Sequence, residues 1–171
     1  MFKKVNTTGR PVISLKWNGL DVFLESISVL TLLLIGIYTL TVYSDLPDQI
    51  PMHFNGDGIA DDFGSKQSKW FLWSIGFALY ILLTLIVKNP HQFNYTVKIT
   101  EHNAAYQYTL SVRLIRWVKF ILLLAFTLLQ YSIIDAAITG NGATGTHLLA
   151  LFVIGPIAPL VVYFQLATKQ R

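Results

Sequence analysis

Four long apolar stretches separated by polar text organise the chain: Val22 to Tyr43, Phe71 to Val87, Trp117 to Ile138 and Leu148 to Leu166. Each approaches the about 20 apolar residues with which a helix crosses a bilayer. The pattern predicts an all-α membrane protein, a four-helix transmembrane bundle forming one integral membrane domain over residues 1–171, with helices at 22–43, 71–87, 117–138 and 148–166. Glu101 to Ile138 holds neither proline nor glycine, so the third helix is expected to start early, as an amphipathic stretch outside the membrane. Gly155-Pro156-Ile157-Ala158-Pro159 removes backbone donors from the fourth and predicts a kink there. Phe93, Tyr95, Val97 and Ile99 alternate with Asn94, Thr96, Lys98 and Thr100, the period of a half-buried strand, with Pro11 to Leu15 as a second extended piece.

Composition agrees with this reading, since 53% of the residues are apolar and 13% charged, against about 25% charged in an ordinary soluble domain. Cysteine is absent, which removes disulfides, thiolate metal sites and thiol nucleophiles. The cations are unevenly placed. Lys3, Lys4, Arg10, Lys16, Lys88, Lys98, Arg113, Arg116, Lys119, Lys169 and Arg171 fall on one side of the expected spans, and only Lys66 and Lys69 on the other. The positive-inside bias then puts both termini in the cytoplasm, with Arg113, Arg116 and Lys119 at headgroup level. Trp17, Trp70, Trp73 and Trp117 fall at expected interfaces. The first stretch is longer than a signal core and carries Glu25, so it reads as a retained anchor.

The loop after the first span, LPDQIPMHFNGDGIADDFGSK from Leu46 to Lys66, is the least ordinary text in the chain. Pro47 and Pro51 fix φ, while Gly58 and Gly64 admit conformations closed to other residues, so the loop is shaped rather than floppy. Leu46, Pro47, Ile50, Pro51, His53, Phe54, Gly58, Asp61, Phe63, Gly64, Ser65 and Lys66 fit L-P-x-x-I-P-x-H-[FW]-x-x-x-G-x-x-D-x-[FWY]-G-S-K. Over about residues 24–70 the chain thereby resembles the bacterial integral-membrane family called domain of unknown function 1648 (DUF1648). The same loop occurs in an immunity protein against a sporulation-delay toxin. That resemblance implies an inner-membrane receptor, immunity-like or sensing protein whose outer loop binds an extracytoplasmic peptide or small ligand. The G-I-R-T stretch of that immunity protein has no counterpart between Lys88 and Arg113.

Chemical alternatives are few. Asn55-Gly-Asp57-Gly-Ile-Ala-Asp61-Asp62 looks like one unit of an acidic calcium repeat, but an EF-hand starting at Asn55 would need a ligand at Ile59 and a carboxylate at Lys66. His53, Asp135 and His147 could share one depth, which keeps a metal-dependent membrane enzyme or small transporter as the alternative, although none of their spacings is that of a metal motif. No nucleophile elbow, zinc helix or phosphate loop is present, and no cofactor or nucleic-acid partner is expected. Glu25 and Asp135 are the intramembrane ionisable residues, each expected to reach the nearer interface or pair with a basic neighbour, which for Glu25 is Lys16 or Arg116. Glu25, Ser28, Leu32, Gly36 and Thr39 share one face, expected to pack inward. In the loop, His53, Phe54, Asp61, Phe63 and Lys66 are the expected contact or docking groups, with Phe54 and Phe63 as apolar anchors, His53 hydrogen-bonded beneath them, and Lys66 either snorkelling or paired with Asp61 or Asp62.

Overall fold

The computed structural model describes residues 9–140 and 145–169, with side chains described up to residue 140 and from residue 150. Its elements are α1 (Gly19–Val42), the strands β1 (Gln49–Phe54) and β2 (Ala60–Ser65), then α2 (Ser68–Ile86), α3 (Ala104–Thr139), α4 (Gly145–Ile154) and α5 (Ile157–Ala167). Among the described residues, four helical segments are long and apolar enough to cross a membrane: α1, α2, α3, and α5 with the end of α4. Their outward faces are apolar, with Leu33, Ile37, Phe71, Leu82 and Val153 all more than half exposed, as lipid contact requires. The chain is a multi-pass membrane protein.

Local signals set the boundaries. Asn18 and Asp21 form a reciprocal capping box, each side chain accepting the other's backbone N–H at 3.0 Å, which starts α1 three residues before the apolar run. α3 begins early, as expected, and ends where Gly140 adopts φ 71° and returns its N–H to Ala136 at 3.0 Å. The expected kink in the fourth span is a complete break between α4 and α5. A Cβ on Gly155 would overlap the Leu151 carbonyl and lie 2.6 Å from an Ile121 methyl, so glycine lets the break seat directly on α3.

α3 is the axis of the bundle and touches α1, α2, α4, α5 and β1. The inward face of α1 is the small and polar one, with Ser28, Leu32, Gly36 and Thr39 buried. Its hydroxyls are satisfied within the membrane: Ser28 and Thr39 donate to the carbonyls of Leu24 and Ile35 at 2.7 Å, and Gln130 of α3 donates to the Thr39 oxygen at 2.6 Å. Trp73 differs from the expected interfacial anchor. Its indole N–H turns inward and donates to the Leu32 carbonyl at 3.1 Å, lying over Gly36. A Cβ at Gly36 would stand 2.8 Å from that nitrogen. Gly36→Val should therefore expel Trp73 and cost about 1–3 kcal/mol of overpacking. Thermal unfolding in detergent checks it, with the penalty shrinking in G36V/W73F.

One end of the bundle gathers the N-terminal segment, the α2–α3 connection and the end of α5. Tyr106 and Gln107 donate to the carbonyls of Leu166 and Ala167, and Tyr108 donates to that of Pro11. Residues 93–100 alternate between half-buried and exposed, yet they form no strand. At the start of this stretch the Phe93 carbonyl is taken by a side chain, Arg10, which donates to it at 2.6 Å and to that of His91 at 3.3 Å. Arg10 also lies over the Tyr95 ring, whose hydroxyl is pushed up by burial and stays a neutral donor to Pro90 at 2.7 Å. At the opposite end, between α1 and α2, β1 and β2 form an antiparallel hairpin.

Candidate functional site

The Leu46–Lys66 text folds as that hairpin. Gln49, Ile50 and Pro51 pair with Ser65, Gly64 and Phe63, and after a bulge His53 and Phe54 pair with Asp62 and Ala60. The calcium-like text is its turn. The Asn55 side chain accepts the backbone N–H groups of Asp57 and Ile59 at 3.0 Å, and Gly58 takes φ 77°. The Asn55 oxygen thus faces amides, as an Asx turn requires. Gly64 gives room to Met52, whose Cγ would be 2.8 Å from a Cβ there.

What docks the hairpin differs from the expectation. Ile50 is completely buried, Leu46 is 3% exposed, and Pro51 is buried, with β1 lying against α3. Phe54 is half-buried and Phe63 is 55% exposed, so the two phenylalanines are not the principal anchors. β1 buries the adjacent Ile50 and Pro51 against α3, whereas Phe63 lies on β2, where Asp61 and Asp62 before it are exposed as well. His53 is not beneath the aromatic rings either. It is exposed, and its Nδ1 lies 2.6 Å from Asp61 Oδ1 across the hairpin. Lys66 turns away from Asp61 and Asp62 to the hairpin base, where it donates to the Leu46 carbonyl at 3.2 Å, lies 3.2 Å from Asp48 and covers the Tyr43 ring. Pro47 is exposed at the same base.

Between the hairpin and the end of α3 runs a groove of about 450 Å³, bordered by Pro51, Ile59, Ala60, Phe63, Ala136 and Ala137. Met52, Ile59 and Phe63 stay exposed at this end of the molecule. Asp135 is exposed on the last turns of α3. His147 belongs to α4, but its side chain lies outside the described residues. Among the described residues, no three His, Asp or Glu side chains come together as a metal site would need.

A second polar constellation sits between α1 and α3 at the end that carries the termini. Asp21 Oδ1 accepts from Arg116 Nη1 at 2.7 Å and from Arg113 Nε at 3.2 Å. Glu25 accepts from Arg116 Nε at 3.2 Å and from Lys119 Nζ at 2.6 Å. Lys119 has no exposed surface, also donates to Thr84 at 3.0 Å, and lies over the Tyr80 ring, while Arg116 covers Trp17. Glu25 therefore pairs with Arg116, as one of the two expectations had it, and not with Lys16. Arg116 and Lys119 are turned inward, because two carboxylates of α1 face them. Asp21, Arg116 and Lys119 were not expected as members of one cluster. The available signal was spacing: Asp21 and Glu25 are one turn apart, and residues 113, 116 and 119 fall on one face of α3.

Residues 30–79, from mid-α1 through the hairpin into α2, match the family described as Domain of unknown function (DUF1648). The chain is also similar to an uncharacterized protein of the archaeon Archaeoglobus fulgidus, 28% identical over 152 residues that cover 81% of this chain and 82% of the relative. The latter similarity extends well beyond the DUF1648 segment. No solved structure matches the chain.

Proposed function

We propose that this protein, whose residues 30–79 match DUF1648, is a receptor or sensing protein, and not an enzyme, of the bacterial cytoplasmic membrane, with cytoplasmic termini and the hairpin outside, where it captures an extended, apolar peptide segment. The observation that carries this reading is the exposure of Ile59 and Phe63 in the wall of the groove, on the part of the chain between the first two spans. Apolar side chains clustered in water mark interaction sites. A hairpin of two strands also keeps two unpaired edges, each able to add a third strand from a peptide. The His53–Asp61 pair supplies the polar element. Docking of β1 on α3 gives a bound ligand a mechanical path to the other face, because α3 carries the charge cluster at its far end.

Two measurements test this reading. Orientation is read by labelling single cysteines, which the natural chain lacks. Asp57→Cys should react with an impermeant thiol reagent in intact cells and Lys98→Cys should not; the reverse pattern would overturn the topology. Ligand class is read by panning displayed random peptides on the protein in lipid nanodiscs. Peptides with apolar residues at alternate positions should be enriched over empty discs, and Phe63→Asp or Ile59→Asp, both at exposed positions, should weaken their binding about tenfold or more. No enrichment over empty discs would sink the receptor reading.

A further inference from the structure

A second groove, of about 550 Å³, lies on the lipid-facing side between α3 and α5, with Leu110, Trp117, Ile121, Pro159 and Val162 in its walls and Arg113 at its edge. We propose that it holds one anionic phospholipid from the leaflet on the side of the termini, an acyl chain lying along α3 and the phosphate on Arg113. This does not depend on the peptide-receptor reading, since it concerns the opposite end of the molecule and holds for either orientation.

The length of the groove is the first support. From Arg113, where the phosphate would sit, to Ile121 the helix advances about 12 Å at 1.5 Å per residue, within the about 15 Å that one leaflet contributes to the hydrocarbon core. The groove therefore runs from headgroup level into a single leaflet. It stops at Ile121, against which Gly155 seats the α4–α5 break.

Charge is the second support. Among the described residues, the carboxylates paired with Arg113, Arg116 and Lys119 are Asp21 and Glu25, which leaves one positive charge in excess. That excess is not shared evenly. Arg116 bonds both carboxylates and Lys119 bonds Glu25 and Thr84, whereas Arg113 spends only its Nε, on an Asp21 oxygen already held more closely by Arg116. The two terminal amino groups of Arg113 have no acceptor among the described residues, and the side chain is 31% exposed at the mouth of the groove. A guanidinium edge with paired free donors matches a phosphate better than any other lipid group. Trp117, one turn further along α3, lines the same groove and suits the region below the headgroups. Inorganic phosphate would meet the arginine but gain nothing from the apolar walls.

The test is native mass spectrometry of the whole protein in detergent, titrated with phosphatidylglycerol, with phosphatidylcholine of the same acyl chains, and with inorganic phosphate. The anionic lipid should bind about fivefold more tightly than the zwitterionic one, the value of one arginine near a charged lipid surface. Arg113→Gln should abolish that preference, Val162→Trp should lower binding of both lipids, and Lys98→Gln, at an exposed cation away from the groove, should change nothing. Val162 is 51% exposed and clear of the charge cluster, so V162W probes the groove even where R113Q fails to assemble. Equal affinity for the two lipids, an undiminished preference in R113Q, or unchanged binding in V162W would each overturn the proposal. Displacement of the lipid by inorganic phosphate at comparable concentration would overturn the lipid as its source.

Discussion

Glu25→Leu should destabilise the bundle by about 3–5 kcal/mol, the usual loss when one partner of a buried ion pair is removed. The reason lies with what remains. Lys119 has no exposed surface, and without Glu25 its ammonium would keep only the Thr84 hydroxyl and the face of Tyr80. Arg116 would retain Asp21 at 2.7 Å, so the damage concentrates on one stranded cation. A second substitution tests that account. Glu25→Leu combined with Lys119→Met removes both charges and keeps the volume apolar, and it should recover most of the loss, because the double change leaves nothing buried and unpaired. Unfolding of purified protein in mixed micelles would give both values. If the double variant were as unstable as the two single losses added together, the two residues would be acting independently and the pairing would not be what holds α1 to α3.

The second large effect is expected at Ile50. Truncation to alanine at a fully buried position costs about 2–5 kcal/mol, and here the loss should be local, releasing the hairpin from α3 while the membrane spans stay assembled. Limited proteolysis reads it as faster cutting between residues 46 and 66. Phe63→Ala, at a side chain more than half exposed, should shift stability by about 0.5 kcal/mol or less. Asp57→Ala should do as little, since Asp57 bonds Asn55 through its backbone N–H, which the substitution keeps. Faster cutting in F63A than in I50A would mean that the phenylalanine is the anchor after all. The comparison also separates docking from recognition, because the proposed peptide contact should be lost in Phe63→Asp with the hairpin still seated.

The four spans could be read from the chain because the bilayer imposes a harsh condition. Every backbone polar group must be satisfied within its own segment, so each crossing is a run of apolar residues of helix length, visible without knowing its neighbours. Gly155-Pro156 could be read for a similar reason, since a missing donor interrupts a helix wherever it sits. The Leu46–Lys66 loop was legible as shaped, but not as a hairpin. Pro51 argues against a strand, the aspartates of β2 have low strand propensity, and pairing holds because Ile50 is sunk against α3, a contact between residues far apart in sequence. The fate of the cations was hidden in the same way. Residues 113, 116 and 119 share a face whether they meet headgroups or carboxylates. The inward, small and polar side of α1 sets the outcome: Ser28, Gly36 and Thr39 let α1 pack against its neighbours and bring Asp21 and Glu25 opposite that face. Local chemistry fixes which residues enter the membrane, whereas the partner each buried charge finds depends on which helix faces stand together, a property of the whole bundle.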